Sequence, residues 1–186
     1  MNRRTMLAMS AAGGVGLVVW RRAGTPSLDA GNSPGAPKVV SIVEYSDTGV
    51  RESVSDVPKL VKTESEWRRQ LTPIAFEVTR HAGTERAFTG ATWNLHDKGL
   101  YRCVCCETAV FSSETKFESG TGWPSFWAPL DKRNIEEHSD WTFGMVRTAV
   151  SCRRCDAHLG HVFNDGPRPT GLRYCMNSAA MRFVKA

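Results

Sequence analysis

Six cysteines punctuate the 186-residue chain, and their spacing sorts them into two kinds of chemistry. Four stand as CxxC pairs, Cys103 and Cys106 in YRCVCCET and Cys152 and Cys155 in SCRRCDAH. A fifth, Cys175, stands apart in LRYCMNS. Two CxxC pairs suit a structural zinc ion, which takes four thiolates in a tetrahedron at about 2.3 Å, each pair presented by a tight turn. Once four sulfurs fill that shell, Cys175 is left for other work. Spacing alone leaves other uses of the four open. In an exported chain they can pair as two disulfides, with three connectivities. A lone CxxC can be a thioredoxin-like redox pair, but that motif opens a helix in a βαβ unit, a context neither pair has. Cys105, wedged between two expected ligands, reads as a small side chain on the knuckle turn.

Three clusters can converge on Cys175. They are GTGWPSFW (Gly120 to Trp127), HLGHVFNDGP with His158 and His161, and LRYCMNS, which sets Arg173 and Asn177 two residues either side of the cysteine. In a strand the i±2 positions share a face, so Arg173, Cys175 and Asn177 are expected to point together. The thiolate is the nucleophilic form of cysteine, and a neighbouring cation draws its pKa from about 8.5 toward neutrality. Arg173 is a permanent cation, and His158 and His161 are residues of the proton-donating kind. Trp123, followed by Pro124, offers a flat apolar wall. The combination predicts attack by sulfur on a small substrate with an apolar end, helped by a proton donor. Each member alone has a plainer use: the tryptophan as core, the histidines as polar surface or spare ligands, the cysteine as a small buried hydrophobe. Packing does not account for all three clusters in one short domain.

The elements that must hold these residues are mostly strands. From Gly90 onward no long helical period appears. Short apolar or aromatic runs (GLYRC, AVF, WTFGMVRTAVSC, HVF, LRYCMNSAAMRFV) alternate with Gly, Pro, Asp and Asn, the pattern of short antiparallel strands. Before them, Glu64 to Leu71 and Ile74 to His81 predict two short helices. Thr63 caps the first with Glu66 at capping-box spacing, and Pro73 opens the second. VSIVEY followed by TGV predicts a short hairpin or an extended arm. The fold class expected is mainly β: a small antiparallel domain of two sheets with N-terminal helices and a zinc knuckle.

GTGWPSF, HLGHVFNDGP and RYCMNSAAMRF, with the CxxC pairs placed before the first and just before the second, resemble the B family of methionine sulfoxide reductases. The similarity runs from about Thr63 to Phe183. It implies reduction of the R epimer of methionine sulfoxide by an antiparallel β domain, often with structural zinc held here by Cys103, Cys106, Cys152 and Cys155. By position, Cys175 matches the family's nucleophile and Trp123 the residue that receives the substrate's ε-methyl group. His158, His161, Arg173 and Asn177 match the polar shell around the sulfoxide, with His161 the expected acid. The resemblance further implies a sulfenic acid on Cys175 that must be reduced. Many relatives carry a resolving cysteine where this chain has Thr121, so an external thioredoxin-like or small-thiol reductant is expected. The implied substrates are oxidised proteins or peptides, and a monomer is expected.

The chain opens MNRRTMLAMSAAGGVGLVVWRR, which resembles a twin-arginine export signal: Arg3-Arg4, then a modest apolar run from Met6 to Trp20. The run is shorter than the ~20 residues that cross a bilayer comfortably. The expectation is a signal over residues 1–30, a linker or arm over 31–58 and the reductase domain over 59–186. The expected address is periplasmic or extracytoplasmic, with an uncleaved membrane anchor as the alternative. Of 24 basic and 19 acidic residues, four and one fall in this leader, so from Gly31 onward the balance is 20 to 18. That leaves no basic stripe for nucleic acid. Two rival classes are a non-catalytic zinc-ribbon binding module and a thiol–disulfide oxidoreductase. The first needs an electropositive or aromatic face, yet the aromatics gather near Cys175. The second needs a paired dithiol, and Cys175 has no partner in sequence.

Overall fold

A computed structural model describes residues 38–140 and 147–186. The expected signal, the start of the linker and the WTFGMV part of one apolar run lie outside the described residues. No helix of the described residues is long and apolar enough to cross a membrane.

The chain starts with a hairpin, β1 (Val39–Tyr45) and β2 (Arg51–Pro58), paired antiparallel around a turn in which the Val50 carbonyl accepts from the Ser46 N–H at 3.0 Å. Of the two forms expected for this stretch, the chain takes the hairpin, and β1 buries apolar side chains on both of its faces. Val40, Ile42 and Val43 are buried. Asn134, itself fully buried, accepts from the Val43 N–H (2.7 Å) and donates to the carbonyls of Val43 (2.8 Å) and Ala109 (2.7 Å). One amide thus satisfies three backbone groups of two segments that water no longer reaches.

Two helices follow, α1 (Glu64–Gln70) and α2 (Pro73–His81). The capping box is formed: Thr63 Oγ1 accepts from the Glu66 N–H, and the Thr63 N–H donates to Glu66 Oε2 at 2.8 Å. Thr72 caps α2 by accepting from the Ala75 N–H at 3.3 Å, and Pro73 stands at its first position. Trp67, Phe76 and Val78 bury their faces against the strands.

The remainder is two antiparallel sheets. The smaller is built from β3 (Gly99–Cys103), β4 (Ala109–Ser112) and β11 (Met181–Lys185), in the order β11-β3-β4. The larger takes β5 (Lys116–Phe117), β6 (Ser125–Phe126), β7 (Ile135–Asp140), β8 (Arg147–Cys152), β9 (His158–Phe163) and β10 (Arg173–Met176), in the order β5-β6-β10-β9-β8-β7. Phe111, Phe126, Tyr101 and Tyr174 form the aromatic centre of the core. Phe111 stacks on Phe126 at 4.5 Å, and Tyr101 meets Phe126 edge-on at 4.9 Å. The expected mainly β class is the one observed.

Both knuckles have one construction. In the first, the Cys103 carbonyl accepts from Cys106 (3.3 Å) and Glu107 (2.9 Å), and Glu107 turns left-handed at φ 63°. In the second, the Cys152 carbonyl accepts from Asp156 (2.9 Å), and Asp156 turns at φ 57°. One lies at the end of β3 and the other at the end of β8, so each sheet contributes one CxxC.

Candidate active site

The two knuckles meet. Cys103, Cys106, Cys152 and Cys155 are buried, and their sulfurs all lie within 4.8 Å of one another. The cross-knuckle pairs Cys103–Cys155 and Cys106–Cys152 are 3.6 and 3.4 Å apart, and all six cysteines are free thiols. A tetrahedron of thiolates at about 2.3 Å from zinc has edges of about 3.8 Å, so this set fits the ion. The surroundings fix the knuckle backbones: Gln70 donates to the Cys105 carbonyl (2.9 Å) and Arg80 to the Cys155 carbonyl (2.9 Å). Cys105 is 3 % exposed and belongs to the core cluster.

Cys175 lies elsewhere, in the middle of β10, paired with Ser125 of β6 on one side and His161 of β9 on the other. It opens into a pocket of about 160 Å³ whose wall includes Trp123, Arg147, His161, Phe163 and Asn177. The pocket depends on Gly160: a Cβ there would stand 2.2 Å from the Cys175 carbonyl oxygen. β9 is also bulged at this point. His161 pairs with Ala149 and Gly160 with Val150, but His158 pairs with Ser151, which leaves Leu159 as the extra residue. Residues three apart in a regular strand face opposite ways; the added residue restores a common face. The rings of His158 and His161 therefore meet edge-to-face at 5.2 Å. His161 lines the pocket, and the buried His158 stands behind it.

The other expected members divide. Trp123 is on the wall, held by its indole N–H, which donates to the Glu85 carbonyl at 3.0 Å. Arg173 is committed to Asp165 by a two-point ion pair (Nε–Oδ1 2.9 Å, Nη2–Oδ2 2.8 Å) and lies over the Phe163 ring at 4.5 Å. It holds the Asp165 carboxyl below the usual carboxylate range. Asn177 does not continue the face of β10, as expected from i±2 spacing, because the strand ends at Met176. Both ends of its amide are used by backbone: Oδ1 accepts from the Glu85 N–H (3.0 Å) and Nδ2 donates to the Leu159 carbonyl (3.1 Å).

Glu85 and three hydroxyls were not foreseen. The buried Glu85 carboxylate accepts from the N–H groups of Ser178 (2.6 Å) and Ala179 (2.8 Å), so one residue fixes both Trp123 and the turn after Cys175. Thr121 Oγ1 stands 3.9 Å from Cys175 Sγ, Ser119 Oγ 2.8 Å from Thr121 Oγ1, and Ser125 Oγ 2.7 Å from Ser119 Oγ. The GTGWPSF motif carries two of these hydroxyls, but nothing in its spacing says that they chain together beneath a thiol.

Burial dominates the acidity of Cys175 and raises its pKa. The Thr121 hydroxyl, the Arg173 charge and the Ser125 hydroxyl oppose that rise without overcoming it. The expectation of a depressed pKa is corrected: the sulfur is desolvated, and its cation is shared with a carboxylate. Alkylation of Cys175 by iodoacetamide, followed on its peptide, is expected to climb with pH to a midpoint above that of a free cysteine. Since Thr121 lowers the pKa, Thr121→Val should move the midpoint further up. A wild-type midpoint below that of a free cysteine, or a shift downward in the variant, contradicts this account.

Comparison with known proteins agrees with this geometry. A SelR domain matches residues 71–185. A protein of Herminiimonas arsenicoxydans named "Peptide methionine sulfoxide reductase MsrB" is 56% identical over 125 residues, 67% of this chain and 91% of that protein. Proteins of the same name from Acinetobacter baylyi (58% over 124 residues, 67% and 89%) and Hahella chejuensis (56% over 128 residues, 69% and 92%) are similarly close.

Proposed function

This chain belongs to the MsrB family of peptide methionine sulfoxide reductases, and from that premise we propose that it reduces the R epimer of methionine sulfoxide in proteins, with Cys175 as the nucleophile. One observation carries the reading: the Cys175 thiol opens into a one-side-chain pocket between an indole wall and His161, its direct partner across the β9–β10 ladder.

The chemistry balances on these residues. The Cys175 sulfur attacks the sulfoxide sulfur and forms a transient sulfur–sulfur bond; that bond and the substrate's sulfur–oxygen bond then break as the oxygen passes to Cys175, leaving a sulfenic acid and methionine. The cysteine sulfur loses two electrons and the methionine sulfur gains them. The thiol brings the proton that the departing oxygen needs. His161 is placed to move it, and acid help of this kind contributes about 10²–10⁴-fold. His158 backs His161, Arg173 lends positive charge to the thiol, Asn177 fixes the turn that follows, and Trp123 receives the methyl group. Cys103, Cys106, Cys152 and Cys155 would hold zinc, which supplies a cross-link between the sheets.

Recycling then draws on an external thiol. Two thiols convert the sulfenic acid to thiol and water and leave as a disulfide. Thr121 stands where a resolving sulfur would be, and Cys105 is buried against the knuckles. A thioredoxin-like protein or a small thiol fits this role. The twin-arginine-like leader supports an extracytoplasmic address.

The test uses both epimers. Incubation with R- and S-sulfoxides of N-acetylmethionine amide and dithiothreitol should yield sulfide from R alone. With one equivalent of R substrate and no reductant, dimedone should label Cys175. Equal turnover of both epimers, or a disulfide from Cys175 to Cys105, refutes the proposal.

A further inference from the structure

Among the described residues Phe88 is the aromatic side chain left in water, 56 % exposed. Its backbone is left-handed at φ 65°. For a bulky residue that is an outlier costing about 1–3 kcal/mol, and such strain gathers where function demands it. Turn chemistry does not call for a ring here, since Asn or Gly suits the conformation better. Burial does not call for it either, because over half of the residue stays wet.

What the arrangement does is set a ring beside the pocket wall. The Phe88 N–H donates to the Gly122 carbonyl at 2.8 Å, and the ring meets Trp93 edge-on at 5.3 Å. It also covers Gly122, where a Cβ would come within 2.7 Å of it. Gly122, at φ 85°, is the residue before Trp123. The Cys175 pocket holds about 160 Å³, well short of the ~300–1,000 Å³ of a complete small-molecule site. It takes one side chain, and the rest of a polypeptide substrate must cross its rim.

We propose that Phe88 is a docking shelf for an apolar side chain flanking the oxidised methionine of a polypeptide substrate. The proposal rests on the reductase reading above and names what that site selects. It makes the enzyme more active on sequences in which the oxidised methionine has an apolar neighbour than on those in which glycine stands there.

The test compares blocked tripeptides of methionine-R-sulfoxide with leucine or glycine before or after the sulfoxide, alongside N-acetylmethionine-R-sulfoxide amide, all with dithiothreitol. Leucine on at least one side should raise kcat/KM about three- to tenfold over glycine, the scale of one side chain packing on a ring. Phe88→Asn, which suits the left-handed backbone, should bring that ratio to about one. Phe88→Leu, which keeps apolar bulk, should retain part of it. Melting temperature and zinc content check the fold of each variant. If the blocked amino acid is reduced but leucine and glycine peptides are equivalent, the shelf is refuted and the reductase reading stands. A ratio that persists in Phe88→Asn also refutes it. If no substrate is reduced, the reductase reading falls and the shelf falls with it.

Discussion

Cys175→Ser is expected to lose about 10⁴-fold or more of kcat, the scale seen when a nucleophile is removed from a preorganised site. Serine is close to isosteric, and position 175 is only partly buried, so the fold should survive the change. Its partners across β6 and β9 are held by backbone pairing that does not involve the sulfur. The variant should melt within a few degrees of the wild type and carry the same zinc. Retention of more than a few percent of the wild-type rate would remove Cys175 from the mechanism. Loss of zinc in the same variant would mean that the two sulfur sites are not separate.

The opposite profile is expected of Cys152→Ser, where the damage is to stability. A metal that binds only the folded chain contributes its binding energy to folding, about 10–16 kcal/mol in small zinc domains. In a domain of this size each lost kcal/mol lowers Tm by about 2–4 °C, so losing even a third of that energy costs about 10 °C. Cys152 is fully buried, and its sulfur faces Cys106 from the other sheet, so its loss uncouples the sheets. Elemental analysis should find zinc in the wild type and a small fraction of it in the variant. An unchanged melting curve, or absence of zinc from wild-type protein made in metal-replete cells, would show that the four thiols serve otherwise.

The helices were legible because local signals decide them: Thr63 with Glu66, and Pro73, mark two starts that tertiary contacts had no reason to override. GLYRC and RYCM were legible as strands because apolar runs there end at a knuckle or a polar turn. The four-cysteine set was legible because spacing alone limits how sulfurs can gather. What stayed hidden depends on partners far along the chain. Arg173 reads as a cation for Cys175 alone until Asp165 is seen to share it. Asn177 reads as a strand residue beside Cys175 until the strand stops one residue short of it; it reaches the pocket wall from the turn instead. His158 and His161 share a face only because a bulge adds Leu159, and a bulge leaves no mark in the period of one strand. The acidity of Cys175 follows from burial, which no neighbouring letter encodes.

The docking of β1 through Asn134 also sets an order of events. Val43 and its amide partner are 91 residues apart, and the paired sulfurs are 46 and 52 residues apart. On a growing chain the hairpin is therefore made first and secured late, once Asn134 just ahead of β7 has been made, while the first knuckle must wait for the second. Such distant pairings are slow to close. Until then the apolar side chains of β1 and two unligated thiols are open to other chains and to oxidants. The step most exposed to error in the life of this protein comes before its four-cysteine centre closes.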